Sequence, residues 1–274
     1  MKENLAQIII NLKQLLNTDL IMFNDSFLIK ILKNRIKETA SKSAEEYCSF
    51  LIQNKEEQDI FINALYNNYS IFFRNPYTFS VLENNILPKL IQNLNRDKER
   101  ELRIWSSACA SGQETYSLAI LLEELNNGSF RKFSYRIFGT DISEFQIKTA
   151  NKGEFKESVL DNLTLKNVKS WFDLKRDIYT IKPTLKKKIS FSVFDLFSDQ
   201  VKSPPASIFG SFDIIYCANL LFYFKEEYQD KILKKIKDNL AKGGYVITGK
   251  NERGILIKHN FKEVISRSGI FRLK

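Results

Sequence analysis

The sequence predicts an α/β protein, in which an all-helical N-terminal region precedes a mainly parallel sheet covered by helices and interrupted by a small antiparallel β insert. Three observations carry this. Apolar residues recur at helical spacing through the first third of the 274 residues; from Leu102 onward, short apolar runs of strand length alternate with helical stretches; and the alternation breaks once, between Gly153 and Lys188. A hydrophobic fraction of 43% and a charged fraction of 27% suit a soluble globular chain with enough length for two domains. The expected division is a helical domain over 1–85 and a sheet domain over 86–274, with the insert at about 153–188.

The helices are legible from the start. Ile8, Leu12, Leu15 and Leu16 form one apolar stripe, and Ile29, Leu32 and Ile36 form a second, with Ser26 as its expected N-cap. Lys30, Lys33 and Lys37 share a face of that second helix and make a basic ridge beside its apolar stripe. Residues 45–66 read as two further helices, carrying Tyr47, Phe50 and Leu51, then Ile60, Phe61 and Leu65. A helix from Leu87 runs into the charged stretch Asn95-Arg-Asp-Lys-Glu-Arg100, a natural lead into the sheet domain.

Then come the expected strand Leu102–Ser106, helix Thr115–Leu125, strand Tyr135–Gly139, helix Glu144–Asn151, strands Ile189–Val193 and Phe212–Tyr216, helix Glu226–Leu240 and strand Tyr245–Gly249. Between Gly153 and Lys188, short strands around Phe172 and Asp177–Ile181 make the insert. In open sheets of this kind, ligands bind beyond the carboxyl ends of the strands.

Composition narrows the chemistry. Forty-two basic against thirty-two acidic residues give a net charge of +10, which favours an acidic partner: nucleic acid, anionic lipid or an acidic protein surface. The single histidine, His259, leaves no room for a mechanism built on several imidazoles and reads as a surface or packing residue. Cys48, Cys109 and Cys217 are odd in number and widely spaced, so they read as reduced thiols rather than a zinc or disulfide set, and no metal is expected. The first twelve residues lack a leader-like apolar run with a cleavage site, and no stretch approaches a membrane span, so the expected location is the cytoplasm without membrane insertion.

The residues that carry chemistry sit at the expected strand ends. Ser106-Ser-Ala-Cys-Ala-Ser-Gly-Gln-Glu-Thr-Tyr-Ser117 is a run of small residues leading into a helix, where a backbone can approach a ligand closely and Gly112 can take a turn closed to other residues. Asp141 lies at the tip of the second strand, where nucleotide-binding folds put an acid against ribose hydroxyls; the alternative is that it caps the next helix. Asn219 and Tyr223 lie just past the fourth strand, in position to face a ligand or simply to pack or cap. Upstream, Asn68-Tyr-Ser-Ile-Phe-Phe-Arg74 joins paired aromatics to an arginine, which suits one wall of a site.

These four segments, in this order and spacing, resemble the CheR chemotaxis methyltransferases. Asn68–Arg74 is similar to that family's Asn-x-Thr-x-Phe-Phe-Arg, Ser106–Ser117 to its small-residue S-adenosylmethionine loop, Gly139–Ile142 to its ribose-binding strand end and Tyr216–Phe224 to its Cys-Arg-Asn-x-x-x-Tyr-Phe segment. The resemblance implies a Rossmann-like class I SAM-dependent methyltransferase domain that methylates glutamate side chains of chemoreceptors. It places Asn68, Ser70, Arg74, Gly112, Glu114, Asp141, Asp195, Leu196, Ala218 and Asn219 at the cofactor, and Arg74 and Tyr223 nearest the transferred methyl. It also makes the basic helix, with Lys30, Lys33, Arg35 and Lys37, the part that meets acidic receptor methylation helices.

This sequence departs from the pattern at Ala218, where the family has arginine, at Gly112-Gln-Glu-Thr115 in place of Gly-Glu-Glu-Pro, and at Asp195 in place of asparagine. Phe172–Tyr179 resembles the shorter form of the inserted hairpin, which implies no tethering to a receptor's C-terminal pentapeptide. The chain is expected to act as a monomer without nucleic acid: Asn219-Leu-Leu-Phe222 stands where an amino-methylating enzyme would carry Asn-Pro-Pro-Tyr or a close variant. A non-catalytic module that binds S-adenosylmethionine or its product is the remaining alternative.

Overall fold

The computed structural model describes residues 12, 20–66, 70–94, 100–129, 132–207 and 211–274. Asn68, most of the first apolar stripe and most of the charged run after Leu94 lie outside the described residues. The chain divides into two compact units, one of Met1–Asn68 with Phe222–Gln229, the other of Tyr69–Leu221 with Asp230–Lys274.

The first unit contains helices Asp25–Glu38, Ala44–Gln53 and Lys55–Leu65. Their apolar stripes supply Leu28, Ile31, Leu32, Tyr47, Leu51, Phe61 and Leu65 to its core, all buried. Short polar residues start two of the helices: Ser43 Oγ accepts from Glu46 N at 3.2 Å, and Asn54 Oδ1 from Glu57 N at 3.0 Å. The first helix begins two residues earlier than Ser26 implies. Its N-cap is Asn24, whose side-chain amide donates to Phe222 O at 2.8 Å and whose backbone N–H donates to Tyr223 O at 2.8 Å.

Arg35 also departs from expectation. Its guanidinium grips Glu57 through Nε at 2.8 Å and Nη2 at 2.6 Å, and Tyr47 donates to the same carboxylate at 2.8 Å. Arg35 is therefore turned toward the core, and the exposed basic face is Lys30, Lys33 and Lys37 alone. A buried carboxylate needs such a partner, because desolvating it unpaired is costly.

The second unit opens with a helical run, Pro76–Val81, a π-helical stretch Leu82–Ile86, and Leu87–Leu94. Its sheet has seven strands in the order β6-β2-β1-β7-β8-β10-β9: β1 Leu102–Ser107, β2 Tyr135–Asp141, β6 Ile189–Val193, β7 Phe212–Tyr216, β8 Leu240–Ile247, β9 Phe261–Glu263 and β10 Ile270–Leu273. The first five are parallel, with Ile104 beside Ile137 on one side and beside Ile214 on the other. β10 runs antiparallel to both β8 and β9, a pair the sequence reading did not anticipate.

Strands leave β1 in both directions, so β1 and β7 form the point where the strand order reverses, and a crevice opens at their carboxyl ends. Helices Gln113–Gly128 and Glu144–Lys152 cross over between parallel strands. Gly139 admits no side chain: a Cβ there would stand 2.5 Å from the Phe191 ring. The insert is a three-stranded antiparallel sheet, β3 Glu154–Lys156, β5 Ile178–Ile181 and β4 Phe172–Lys175, with β4 and β5 joined by the two-residue turn Arg176-Asp177. Among the described residues no helix is long and apolar enough to cross a membrane.

Candidate functional site

Most of the predicted site residues of the second unit gather on loops at the carboxyl ends of the parallel strands. After β1 the chain curls tightly, with Ala108 at φ 51° and Ala110 at φ 47°, and Gly112 at φ 90° opens the following helix. Each non-glycine residue in that left-handed region costs about 1–3 kcal/mol, which the surroundings must offset. Asp141 does so in part: its carboxylate accepts the Ala110 N–H at 2.9 Å and the Ser143 N–H at 2.9 Å, tying the ends of β1 and β2 together. The cap of the next helix is Ser143, whose Oγ accepts from Gln146 N at 3.3 Å, so capping does not account for Asp141. Burial pushes the Asp141 carboxyl up, against the pull of the Ser143 and Ala110 amides.

Asp195 and Leu196 follow β6. Asp195 accepts from Phe197 N at 2.8 Å and Leu196 is buried. Ala218 and Asn219 follow β7, and Asn219 stands at φ 61°.

A cavity of about 230 Å³ lies at the ends of β7 and β8, walled by Arg74, Glu114, Tyr216, Ala218 and Asn219 together with Asn75 and Thr248–Lys250. Tyr216 donates its hydroxyl to Glu114 at 3.0 Å. Burial pushes the Glu114 carboxyl up to about 7, while the Tyr216 hydrogen bond and the Arg74 charge pull it down. Arg74 is held by its neighbours in sequence. Phe72 is fully buried with its ring edge-on to Phe155 and Phe172, the Phe73 N–H donates to Ser117 Oγ at 2.9 Å, and Asn75 starts the next helix. Ser70 Oγ is buried without a hydrogen-bond partner among the described residues, an orphaned hydroxyl of the kind a ligand satisfies.

Tyr223 belongs to the first unit, where its ring packs on Phe27 at 4.6 Å. His259 sets its Nδ1 3.2 Å from Asp230 Oδ1, on the helix after β7.

Sequence reading missed Tyr216 as the partner of Glu114, and Thr248, Lys250 and Glu252 altogether. Tyr216 carried a usable signal, since it ends an apolar strand with a polar tip. The other three follow the last parallel strand, where no motif marks them.

A doubly wound sheet with small residues at its reversal point, an acid at the tip of the second strand and a second buried acid at the first helix is the frame of a class I S-adenosylmethionine-dependent methyltransferase. Residues 68–270 match the family described as CheR methyltransferase, SAM binding domain. The chain is 32% identical over 88% of its length to the chemotaxis protein methyltransferase of Listeria innocua, covering 86% of that protein. It is 31% identical over 81% to that of Borreliella burgdorferi, covering 77%, and 30% identical over 84% to chemotaxis protein methyltransferase 1 of Pseudomonas aeruginosa, covering 82%. The chain belongs to the CheR methyltransferase family, and its cofactor is S-adenosylmethionine.

Proposed function

We propose that this protein esterifies glutamate side-chain carboxylates on the cytoplasmic methylation helices of chemoreceptors, with S-adenosylmethionine as methyl donor. The observation that carries the reading is the cavity in which Arg74 stands beside the Glu114–Tyr216 pair, in a chain whose family members are named for chemotaxis. The residue set suits the cofactor: Glu114 offers a carboxylate to a cationic amino-acid end, Asp141 and the orphaned Ser70 hydroxyl offer partners to polar groups, and Asn219 and Ala218 leave room along the wall. Asn68, Gly112, Asp195 and Leu196 complete the set by resemblance.

The bound cofactor supplies an electrophilic methyl group. A glutamate side chain, with an ordinary pKa of about 4.3, is already ionised at neutral pH and needs no base to attack in line. The chain's task is then to hold the carboxylate, strip part of its water and point one oxygen, which can supply on the order of 7–11 kcal/mol of the barrier. We assign this to Arg74; Tyr223 is named with it by the resemblance alone. Arg74 is tempered by the nearby Glu114 charge, so it orients the nucleophile without quenching it. Lys30, Lys33 and Lys37, exposed along one helix, suit an acidic helical substrate.

The test is to incubate the protein with methyl-labelled S-adenosylmethionine and receptor cytoplasmic fragments and to measure label released as methanol by mild base. Base-labile label supports the ester. Cofactor binding without transfer to any receptor would point to a non-catalytic binding module.

A further inference from the structure

Glu252 lies in the short turn after β8, is fully buried and does not line the cavity wall. Its carboxylate is nonetheless the most heavily hydrogen-bonded group near the site. Oε1 accepts the N–H groups of Leu220 at 2.7 Å and Leu221 at 2.6 Å. Oε2 accepts the Asn219 N–H at 2.7 Å, the Gly249 N–H at 2.8 Å and the Thr248 hydroxyl at 2.8 Å. Three consecutive amides can converge on one carboxylate only if the chain curls, and Asn219 makes that curl at φ 61°. The donors come from two adjacent strand ends, the loop after β7 and the loop after β8, and those same loops supply Ala218, Asn219, Thr248, Gly249 and Lys250 to the cavity wall.

We propose that Glu252 is a positioning residue for the cofactor, its carboxylate filling a nest of backbone amides that fixes the Asn219 loop and the Gly249 loop as one wall. The proposal rests on reading the cavity as the cofactor's. Gly249 is the second half of the device. Its φ is ordinary, but a Cβ there would lie 2.9 Å from Glu252 Oε2 and 2.7 Å from Asn219 Nδ2, so only glycine lets the carboxylate and the Asn219 side chain close together behind the wall. Hydrogen bonds to an ionised acceptor are about twice as strong as neutral ones, which suits a group that must hold a strained loop.

Glu252→Gln keeps the shape but turns an NH₂ toward N–H donors, and Gly249→Ala keeps the carboxylate but forces it away. Both are tested as the full chain by calorimetric titration with S-adenosylhomocysteine at a temperature where circular dichroism shows each variant folded, alongside amide proton spectra. The expected result is a dissociation constant raised about tenfold or more in both variants, together with upfield movement of the Asn219, Leu220 and Leu221 amide protons from the low-field positions of carboxylate-bound N–H groups. Should Glu252→Gln fail to fold, Gly249→Ala carries the test alone. Unchanged cofactor affinity in a folded variant whose melting temperature alone has fallen would make Glu252 a scaffold residue and overturn the proposal. Wild-type protein that binds no S-adenosylhomocysteine would overturn the reading of the cavity, and the proposal with it.

Discussion

Tyr216, at the end of β7, donates its phenolic hydrogen to Glu114 on the helix after β1, so β7 and that helix are joined at the reversal point by a side-chain hydrogen bond of 3.0 Å. The bond holds a carboxyl that burial has brought to about 7, the middle of the physiological range.

With Glu114 proposed to meet the cationic end of S-adenosylmethionine, binding favours its charged form and releases a proton wherever the free carboxyl is protonated. Affinity for S-adenosylmethionine is expected to rise with pH, by about tenfold from about pH 6 to about pH 8. Titration calorimetry across that range checks it, and Glu114→Gln should bind more weakly and lose the pH dependence.

Arg74→Ala is expected to lower kcat/KM for receptor methylation by about 10²–10³-fold, the scale for removing a preorganised charge beside a reacting group. Its circular dichroism should match wild type, since the Phe72 packing that anchors the segment is untouched. Steady-state methylation of a receptor fragment measures it.

Glu57→Ala should destabilise the first unit by about 3–5 kcal/mol, because it leaves the Arg35 guanidinium and the Tyr47 hydroxyl without their shared partner. Burial alone would raise the Glu57 carboxyl, yet the Arg35 and Tyr47 hydrogen bonds bring it below its ordinary value. A depressed folded pKa contributes stability that is present above the unfolded value near ~4.3 and is lost as pH falls through the folded one. Acid titration of thermal stability should therefore show a loss below about pH 4 that the variant lacks.

Replacing Lys30, Lys33 and Lys37 together by glutamate should raise KM for receptor fragments and flatten its dependence on salt, with cofactor affinity unchanged. The comparison needs only methylation rates at two ionic strengths.

Local pattern carried most of the sheet domain. Ile189–Val193 and Phe212–Tyr216 have the bounds their patterns predict, the first as an edge strand that alternates Ile-Ser-Phe-Ser-Val, the second as a strand buried along its whole length. β2 runs two residues further than its apolar core, since Thr140 and Asp141 are held by pairing with β6 rather than by their own preference. β9 and β10 were illegible for the opposite reason: three and four residues each, they exist only through pairing across a turn. Arg35 and Glu252 share a further lesson. A charged side chain reads as exposed until its distant partner is known, and those partners, Glu57 and the amides after β7, are set by tertiary structure. Asp141 could be singled out because strand-end position is itself a local signal, whereas Glu114, on the helix after β1, was named only through the resemblance.

Phe222–Gln229 belongs to the first unit although the chain on either side of it belongs to the second. Phe224 stacks on Phe23 at 5.1 Å, and the Lys225 N–H donates to Met22 O at 2.9 Å. No single cut therefore yields two self-sufficient pieces. A fragment that starts at Tyr69 would carry this stretch without its partners, and a chimera that exchanged the N-terminal helices would have to exchange it too. Recombination between relatives can succeed here only at crossover points that move both segments together, so the N-terminal helices and the tail of the Asn219 loop are bound to evolve as one heritable block.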